Sequence, residues 1–191
     1  MRRALLIAAL LAPAVPAAQA QVNPLSILGR AVTTAMDVRT KDEVADDVDI
    51  AASGSKRLLE DKRAEWAGVS LLVFARRVVI AGAVKNAGAR KAVEAVVRQD
   101  KRIRSLANEL LVGDVGSLVK DTALEAEINA KLTAAKGVAS VNMRWNATGG
   151  HVVLMGVAQS KAESALAVAT VRGVQGVKSV KSQLRVVPKK N

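Results

Sequence analysis

The chain has 191 residues, with 29 Lys and Arg against 17 Asp and Glu, a formal net charge of +12, a single His and no Cys. The lack of cysteine excludes disulfides, thiol catalysis, Cys-ligated metals and a lipid-modified cysteine. Trp66, Trp145 and Phe74 are its only aromatic side chains, too few to build a base-stacking platform, so the basic surplus does not point to nucleic acid.

Met1-Arg2-Arg3, the apolar stretch from Ala4 to Val15 and the small residues Ala18 and Ala20 predict a secretory signal peptide over residues 1–20. The apolar run is shorter than the about 20 residues that span a bilayer. Without residues 1–20 the chain keeps 27 basic and 17 acidic residues, a net charge of +10. An exported protein of that charge meets phospholipid headgroups and other envelope polymers as its abundant polyanions.

Residues 21–40 form a lead-in containing Pro24 and Gly29. A first helix is expected within residues 41–65, interrupted by Ser53-Gly54-Ser55. Asp46, Asp47 and Asp49 read as solvated charge or as a complement to the helix dipole, not as a cation site. A hairpin follows, with strands at 69–74 and 78–83 flanking Ala75-Arg76-Arg77. Asn86 is a good N-cap for a helix over 87–100 that puts Ala92, Val93, Val96 and Val97 on one face. A strand then runs to Val112.

Residues 113–116, Gly-Asp-Val-Gly, read as a linker. Beyond it, Asp121 or Thr122 caps a helix with Leu124, Ile128 and Leu132 on one stripe. A second hairpin has strands at 138–145 and 151–157 around residues 146–150, where Gly149-Gly150 tolerates the positive φ of a tight turn. Ser160 and Glu163 have capping-box spacing for a helix over 161–172. In the last strand Val180, Ser182, Leu184 and Val186 alternate with Lys181, Gln183 and Arg185, a period of two with one basic face. Residues 188–191 are a basic tail.

These elements repeat. A shift of 74 residues aligns 78–112 with 152–186 without a gap, matching Val78/Val152, Gly82/Gly156, Arg98/Arg172, Ser105/Ser179 and Leu110/Leu184 among others. The order in each copy is α-β-β-α-β. The expected fold is therefore α+β, two tandem αββαβ modules, each a three-stranded mixed sheet with two helices on one face. Gly82 and Gly156 read as structural glycines, where backbone approaches a helix or φ is positive.

The hairpin ending Val-Val-Leu-Met-Gly at 152–156, its helix, and Gly176-Val177-Lys178-Ser179-Val180 resemble a BON domain, matched in the first copy by Val78-Val79-Ile80-Ala81-Gly82 and by 103–112. The whole is similar to the dual-BON periplasmic family of OsmY and DolP, with modules at 41–112 and 117–187. Arg102 departs from that pattern, standing where the family has glycine. The resemblance implies a non-enzymatic periplasmic protein, soluble or peripheral to the membrane and not a lipoprotein. It also implies reversible binding to anionic phospholipid, and a part in outer-membrane integrity and osmotic-stress tolerance. Carried onto this chain, the lipid-contacting helix is 122–132, with Lys120, Leu124, Ile128 and Lys131 as candidate lipid-binding residues. Ala123 stands where the lipoprotein has a tryptophan, which points to weaker contact. The alternative is a protein-interaction or chaperone-like module for envelope proteins.

No catalytic or metal-binding constellation can be assembled and no cofactor is implied. His151, at a strand start without partners, reads as solvated or structural. Trp145 and Trp66 read as packing residues. Arg76 and Arg77 are expected at a hairpin tip, and Lys178, Lys181, Arg185, Lys189 and Lys190 along the last strand and tail. Summed, these cations fit an anionic partner.

Overall fold

The computed structural model describes residues 37–62, 68–113 and 118–187. The signal-peptide region, most of the lead-in and of the linker, Trp66 and the basic tail lie outside the described residues. The described chain is mixed α+β, with four α-helices and two mixed sheets.

Helix α1 spans Lys41–Glu60 without a break. Thr40 and Glu43 form a full capping box at its start, which satisfies two otherwise orphaned amides. The expected interruption at Ser53-Gly54-Ser55 does not occur. Ser53 Oγ lies 3.2 Å from the Ile50 carbonyl one turn back and donates to Asp100 Oδ2 at 2.8 Å, so its hydroxyl is satisfied without breaking the helix. Gly54 is there for contact, since a Cβ would sit 2.7 Å from Leu71 Cδ1. Ile50, Ala51 and Leu58 are buried beneath the helix.

Strands β1 (Val69–Phe74) and β2 (Arg77–Val84) pair antiparallel from Val69↔Gly82 to Phe74↔Arg77. The turn between them is two residues, Ala75 and Arg76, both at positive φ (51° and 58°), rather than the three-residue turn expected. Helix α2 (Ala87–Val97) has Asn86 as its N-cap. It stops short of the expected end at Asp100, whose carboxylate turns back to take the Arg102 amide at 3.1 Å.

The last strand of the first half is split into β3 (Ser105–Asn108) and β4 (Leu111–Val112), both parallel to β2, so this sheet has four strands instead of three. Asn108 accounts for the break, because its Oδ1 accepts the Leu110 amide at 3.2 Å. A local side-chain bond of this kind competes with strand pairing.

The second half repeats the order. Helix α3 spans Leu118–Ala134, starting earlier than expected, so Asp121 lies in its first turn and is not its cap. A 3₁₀ turn at Ser140–Asn142 occupies part of the expected first hairpin strand. Strands β5 (Met143–Thr148) and β6 (His151–Ala158) meet at the two-residue turn Gly149-Gly150. Helix α4 (Lys161–Arg172) and strand β7 (Ser179–Val186) complete a three-stranded sheet in the order β5-β6-β7.

Gly82 (φ 108°) and Gly156 (φ 130°) occupy the same place in each hairpin. A Cβ would overlap the Gly68 carbonyl oxygen at one and the Asn142 carbonyl oxygen at the other. The close approach is thus to the chain entering the hairpin, and not to a helix.

One core lies between each sheet and its own two helices. The first holds Ile50, Leu58, Leu71, Ile80, Val93 and Val97; the second holds Leu124, Ile128, Leu132, Trp145, Leu154 and Val171. A third core joins the sheets face to face, with Leu72, Phe74, Val79 and Ala81 against Val153, Met155 and Val157. Fully burying a large apolar side chain contributes about 1.5–3 kcal/mol, so this seam is a core and not a loose contact. Gln183 donates to Glu109, 74 residues earlier in the chain, at 2.6 Å. The layers therefore run helices, sheet, sheet, helices.

Candidate functional site

The two halves handle charge differently. In the first half seven cations among the described residues are paired, those at 39, 56, 57, 76, 98, 102 and 104. Arg39 meets Asp37 at 2.6 Å and Asp47 at 3.0 Å, Arg76 meets Asp46 at 2.8 Å, and Arg98 meets Glu94 at 2.6 Å. Asp100 is the largest hub, with Arg102 at 2.7 Å and Arg57 at 3.2 Å. The hydrogen bonds from Arg102 hold its carboxyl well below the usual carboxylate range, against the opposing effect of burial. Arg102, the departure from the BON pattern, thus does its work by ion pairing. Its equivalent Gly176 adopts φ 93°, while the equivalent of Asp100 is Val174, an apolar core residue.

In the second half, residues 118–187 carry nine Lys and Arg against four Asp and Glu. Three of those acids serve the backbone. Asp121 accepts the Gly149 amide at 2.8 Å, Glu125 the Ala147 amide at 2.8 Å, and Glu163 the amides of Ala139 at 2.8 Å and Gln159 at 2.7 Å. Burial pushes the Glu125 carboxyl up, partly offset by the Ala147 amide and the Asn146 side chain. Among the described residues no Lys or Arg of this half forms an ion pair.

One of the nine, Arg144, is internal. It donates to the Val141 and Met143 carbonyls and lies 5.5 Å from the Phe74 ring at the seam. Burial, with the nearby Arg39 charge, lowers its pKa to about 10, so it stays cationic at neutral pH. The other eight are exposed: Lys120, Lys131, Lys136, Lys161, Arg172, Lys178, Lys181 and Arg185.

Of the four lipid-binding candidates, the structure brings Lys120 and Lys131 to the surface and puts Leu124 and Ile128 inside. Ile128 is fully buried and Leu124 is 9% exposed, both against the sheet, so neither side chain is free to enter a bilayer. Eleven residues make three helical turns, so Lys120 and Lys131 share one flank of α3. The exposed Glu127 lies between them on that flank, and beside it runs an outward stripe of Ala123, Ala126, Ala130 and Ala134, all exposed. Lys161 and Arg172 have the same spacing on α4, which packs beside α3.

His151 is exposed, its Nδ1 2.8 Å from Ser179 Oγ. Arg76 caps a hairpin tip as expected, whereas Arg77 begins β2 and faces the seam, 3.4 Å from the Gln183 carbonyl. Lys181 and Arg185 also lie on the seam side of β7. Trp145 is buried in the second core. Among the described residues no group of three His, Cys, Asp or Glu could hold a metal ion, and no helix is long and apolar enough to cross a membrane.

Asp47 is not the solvated charge or helix-dipole complement expected from the sequence. It is buried, and its two oxygens accept the Ala75 and Arg76 amides at 2.7 Å each. Its equivalent, 74 residues on, is Asp121, which clamps the second turn. The same register pairs Ile50 with Leu124 and Leu58 with Leu132, so the repeat reaches back through the first helix of each half.

A family model for the BON domain matches residues 120–188. The osmotically-inducible protein Y of Escherichia coli (strain K12) is 30% identical over 145 residues, covering 73% of this chain and 72% of that protein. The chain belongs to the BON-domain proteins of the OsmY type. An uncharacterized protein in the gshII 5′ region of Anaplasma centrale is 33% identical over 125 residues, 63% of this chain and 83% of that protein. A solved structure of CdsD, a structural protein of the Type III secretion system of Chlamydia trachomatis, superposes at a TM-score of 0.33 with 15% identity, over 75% of this chain and 65% of that one. A likeness that loose carries no argument. The BON match coincides with the half in which none of the Lys and Arg forms an ion pair among the described residues.

Proposed function

We propose that this BON protein is a non-enzymatic periplasmic protein that adsorbs reversibly to anionic phospholipid and supports envelope integrity under osmotic stress. The observation that carries the reading is the set of eight exposed cations on the second half with no ion pair among the described residues. The osmotic inducibility of the E. coli relative, as its name states it, supports the setting. Each Lys or Arg close to an anionic membrane contributes about 1 kcal/mol. Four engaged at once give about 4 kcal/mol, a dissociation constant of about 1 mM, which is reversible and screened by salt. With Leu124 and Ile128 turned inward, contact rests on Lys120, Lys131 and the alanine stripe of α3 without deep insertion.

Co-sedimentation with vesicles tests it. Binding to phosphatidylglycerol-containing vesicles should exceed binding to phosphatidylcholine vesicles and fade with added salt. The double variant Lys120→Glu/Lys131→Glu should lose at least tenfold. Equal binding to neutral and anionic vesicles would sink the proposal. Recovery of the protein outside the osmotic-shock fraction of its cells would sink the periplasmic setting.

The first half is proposed as a second BON module over residues 41–112. Support comes from the shared element order and from the register that carries Asp47 onto Asp121 and Gly82 onto Gly156. An experimental structure whose halves failed to superpose over sheet and helices would remove it.

A further inference from the structure

The two halves differ at one equivalent place, the groove between the second helix and the last strand. In the first half the groove is filled. Arg90 Nη2 donates to the Asn108 carbonyl at 2.7 Å, and Asn108 Nδ2 donates to the Arg90 carbonyl at 3.1 Å and to Glu94 Oε2 at 3.0 Å. Asn108 also splits the strand at Leu110. At the equivalent positions the second half has Ser164, Ser182 and Val168. None of these can bridge helix to strand. A groove of about 590 Å³ stays open there, lined by those three residues with Lys161, Arg172 and Val186.

Beside the groove runs β7, eight residues without interruption, at the edge of its sheet. Among the described residues no strand pairs with its outer side. An uninterrupted open edge next to a groove is the arrangement by which an extended peptide adds as a further strand, its alternate side chains entering the groove. The charges at the lip select the peptide. Lys161 and Arg172 are exposed, have no ion pair among the described residues, and no acidic residue lines the groove. Along α4 they are about 16 Å apart, the span of about five extended residues.

We propose that the α4–β7 groove is a strand-addition site for an extended acidic segment of another protein, with small apolar side chains on the groove floor and carboxylates near Lys161 and Arg172. The site exists in the second half alone, because Ser182 replaces the asparagine that both fills the groove and breaks the strand in the first. It is separate from the α3 flank assigned to lipid.

The probe is a fluorescent heptapeptide of alternating threonine and valine with a glutamate at each end, read by anisotropy on the full chain. Saturable binding is expected, reduced at least tenfold when lysines replace the glutamates. Importing the first half's filling, Ser164→Arg/Ser182→Asn, should also reduce it at least tenfold and not weaken vesicle binding. If that variant unfolds, Arg172→Glu serves instead. It should weaken the probe and recover binding to a peptide carrying lysine at one end. Absence of saturable binding, or equal binding by the filled variant, overturns the proposal. A dimer of the chain that disappears in the filled variant overturns it too, since the occupant is then a second copy. Loss of vesicle binding by Lys120→Glu/Lys131→Glu with the probe retained leaves the two sites distinct.

Discussion

Asp47→Ala should be among the most damaging single substitutions of a charged residue in this protein, and its equivalent Asp121→Ala much milder. Asp47 accepts two turn amides, both at 2.7 Å, from a carboxylate that is almost wholly buried. Hydrogen bonds to charged groups are worth about 1.5–3 kcal/mol each. The turn they hold is strained, because Ala75 and Arg76 sit at positive φ, where a non-glycine residue costs about 1–2 kcal/mol. Arg39 keeps Asp37 at 2.6 Å when Asp47 is removed, so no orphaned cation adds to the loss. The expected destabilisation is about 3–5 kcal/mol. Asp121 accepts one amide, at 2.8 Å, and its turn is Gly149-Gly150, which bears positive φ without strain. There a single such bond is lost, at the low end of that range because Asp121 is half-exposed, and the expected loss is about 1.5 kcal/mol. Urea unfolding followed by far-ultraviolet circular dichroism measures both, as shifts in midpoint at constant slope. Ala75→Gly, which imports the glycine of the second turn, should restore about 1 kcal/mol in the Asp47→Ala background. If Asp47→Ala costs no more than Asp121→Ala, or Ala75→Gly brings no recovery, the clamp-and-strain argument is wrong.

Two carboxylates should answer pH in opposite directions. The Asp100 carboxyl is held below its ordinary 3.8 by Arg102, so its stabilisation is complete above that value and is lost as pH falls through its lowered folded value. Asp100→Asn should cost about 2–3 kcal/mol at pH 7, with the gap from the parent narrowing below pH 3.8 in urea titrations. Were the gap constant down to pH 2, Asp100 would not be the acid-labile hub. Glu125 is raised above its ordinary 4.5 by burial, so the protonated form favours the fold and that contribution is lost as pH rises through the raised value. Glu125→Gln keeps an oxygen for the Ala147 amide and should melt higher than the parent at pH 7, with the advantage vanishing below pH 4.5. A lower melting temperature at pH 7 would contradict this.

Most of the fold was open to inspection in the chain because it is written twice. Helical spacing, N-caps at Asn86 and Ser160 and the glycines 82 and 156 locate the hairpins and second helices, and the structure moves their ends by only a few residues. The first helices were harder. Asp47/Asp121, Ile50/Leu124 and Leu58/Leu132 are equivalent, but the intervening positions share so little that the register is visible only once the turns they clamp are seen. The sheet-to-sheet seam does have a signal in the sequence. Strands β1, β2 and β6 are apolar on both faces, whereas β7 alternates, and a strand without alternation is a strand buried on both sides. Leu72, Phe74, Val153 and Met155 therefore required a cover that two helices on one face could not supply.

The candidate sites lie at the opposite extreme. Net charge follows from composition, but which cations are free depends on which acids are spent elsewhere. Asp121, Glu125 and Glu163 look like neutralising charge in the sequence and are consumed by backbone amides. The groove is subtler still. Nothing in Ser164, Val168 or Ser182 marks a site until Arg90, Glu94 and Asn108 are seen closing the equivalent one. The 74-residue register lets each half serve as a reference for the other. Where the two copies agree, as at Gly82 and Gly156, the residues report on folding. Where one copy closes what the other leaves open, the difference is the place to look for function.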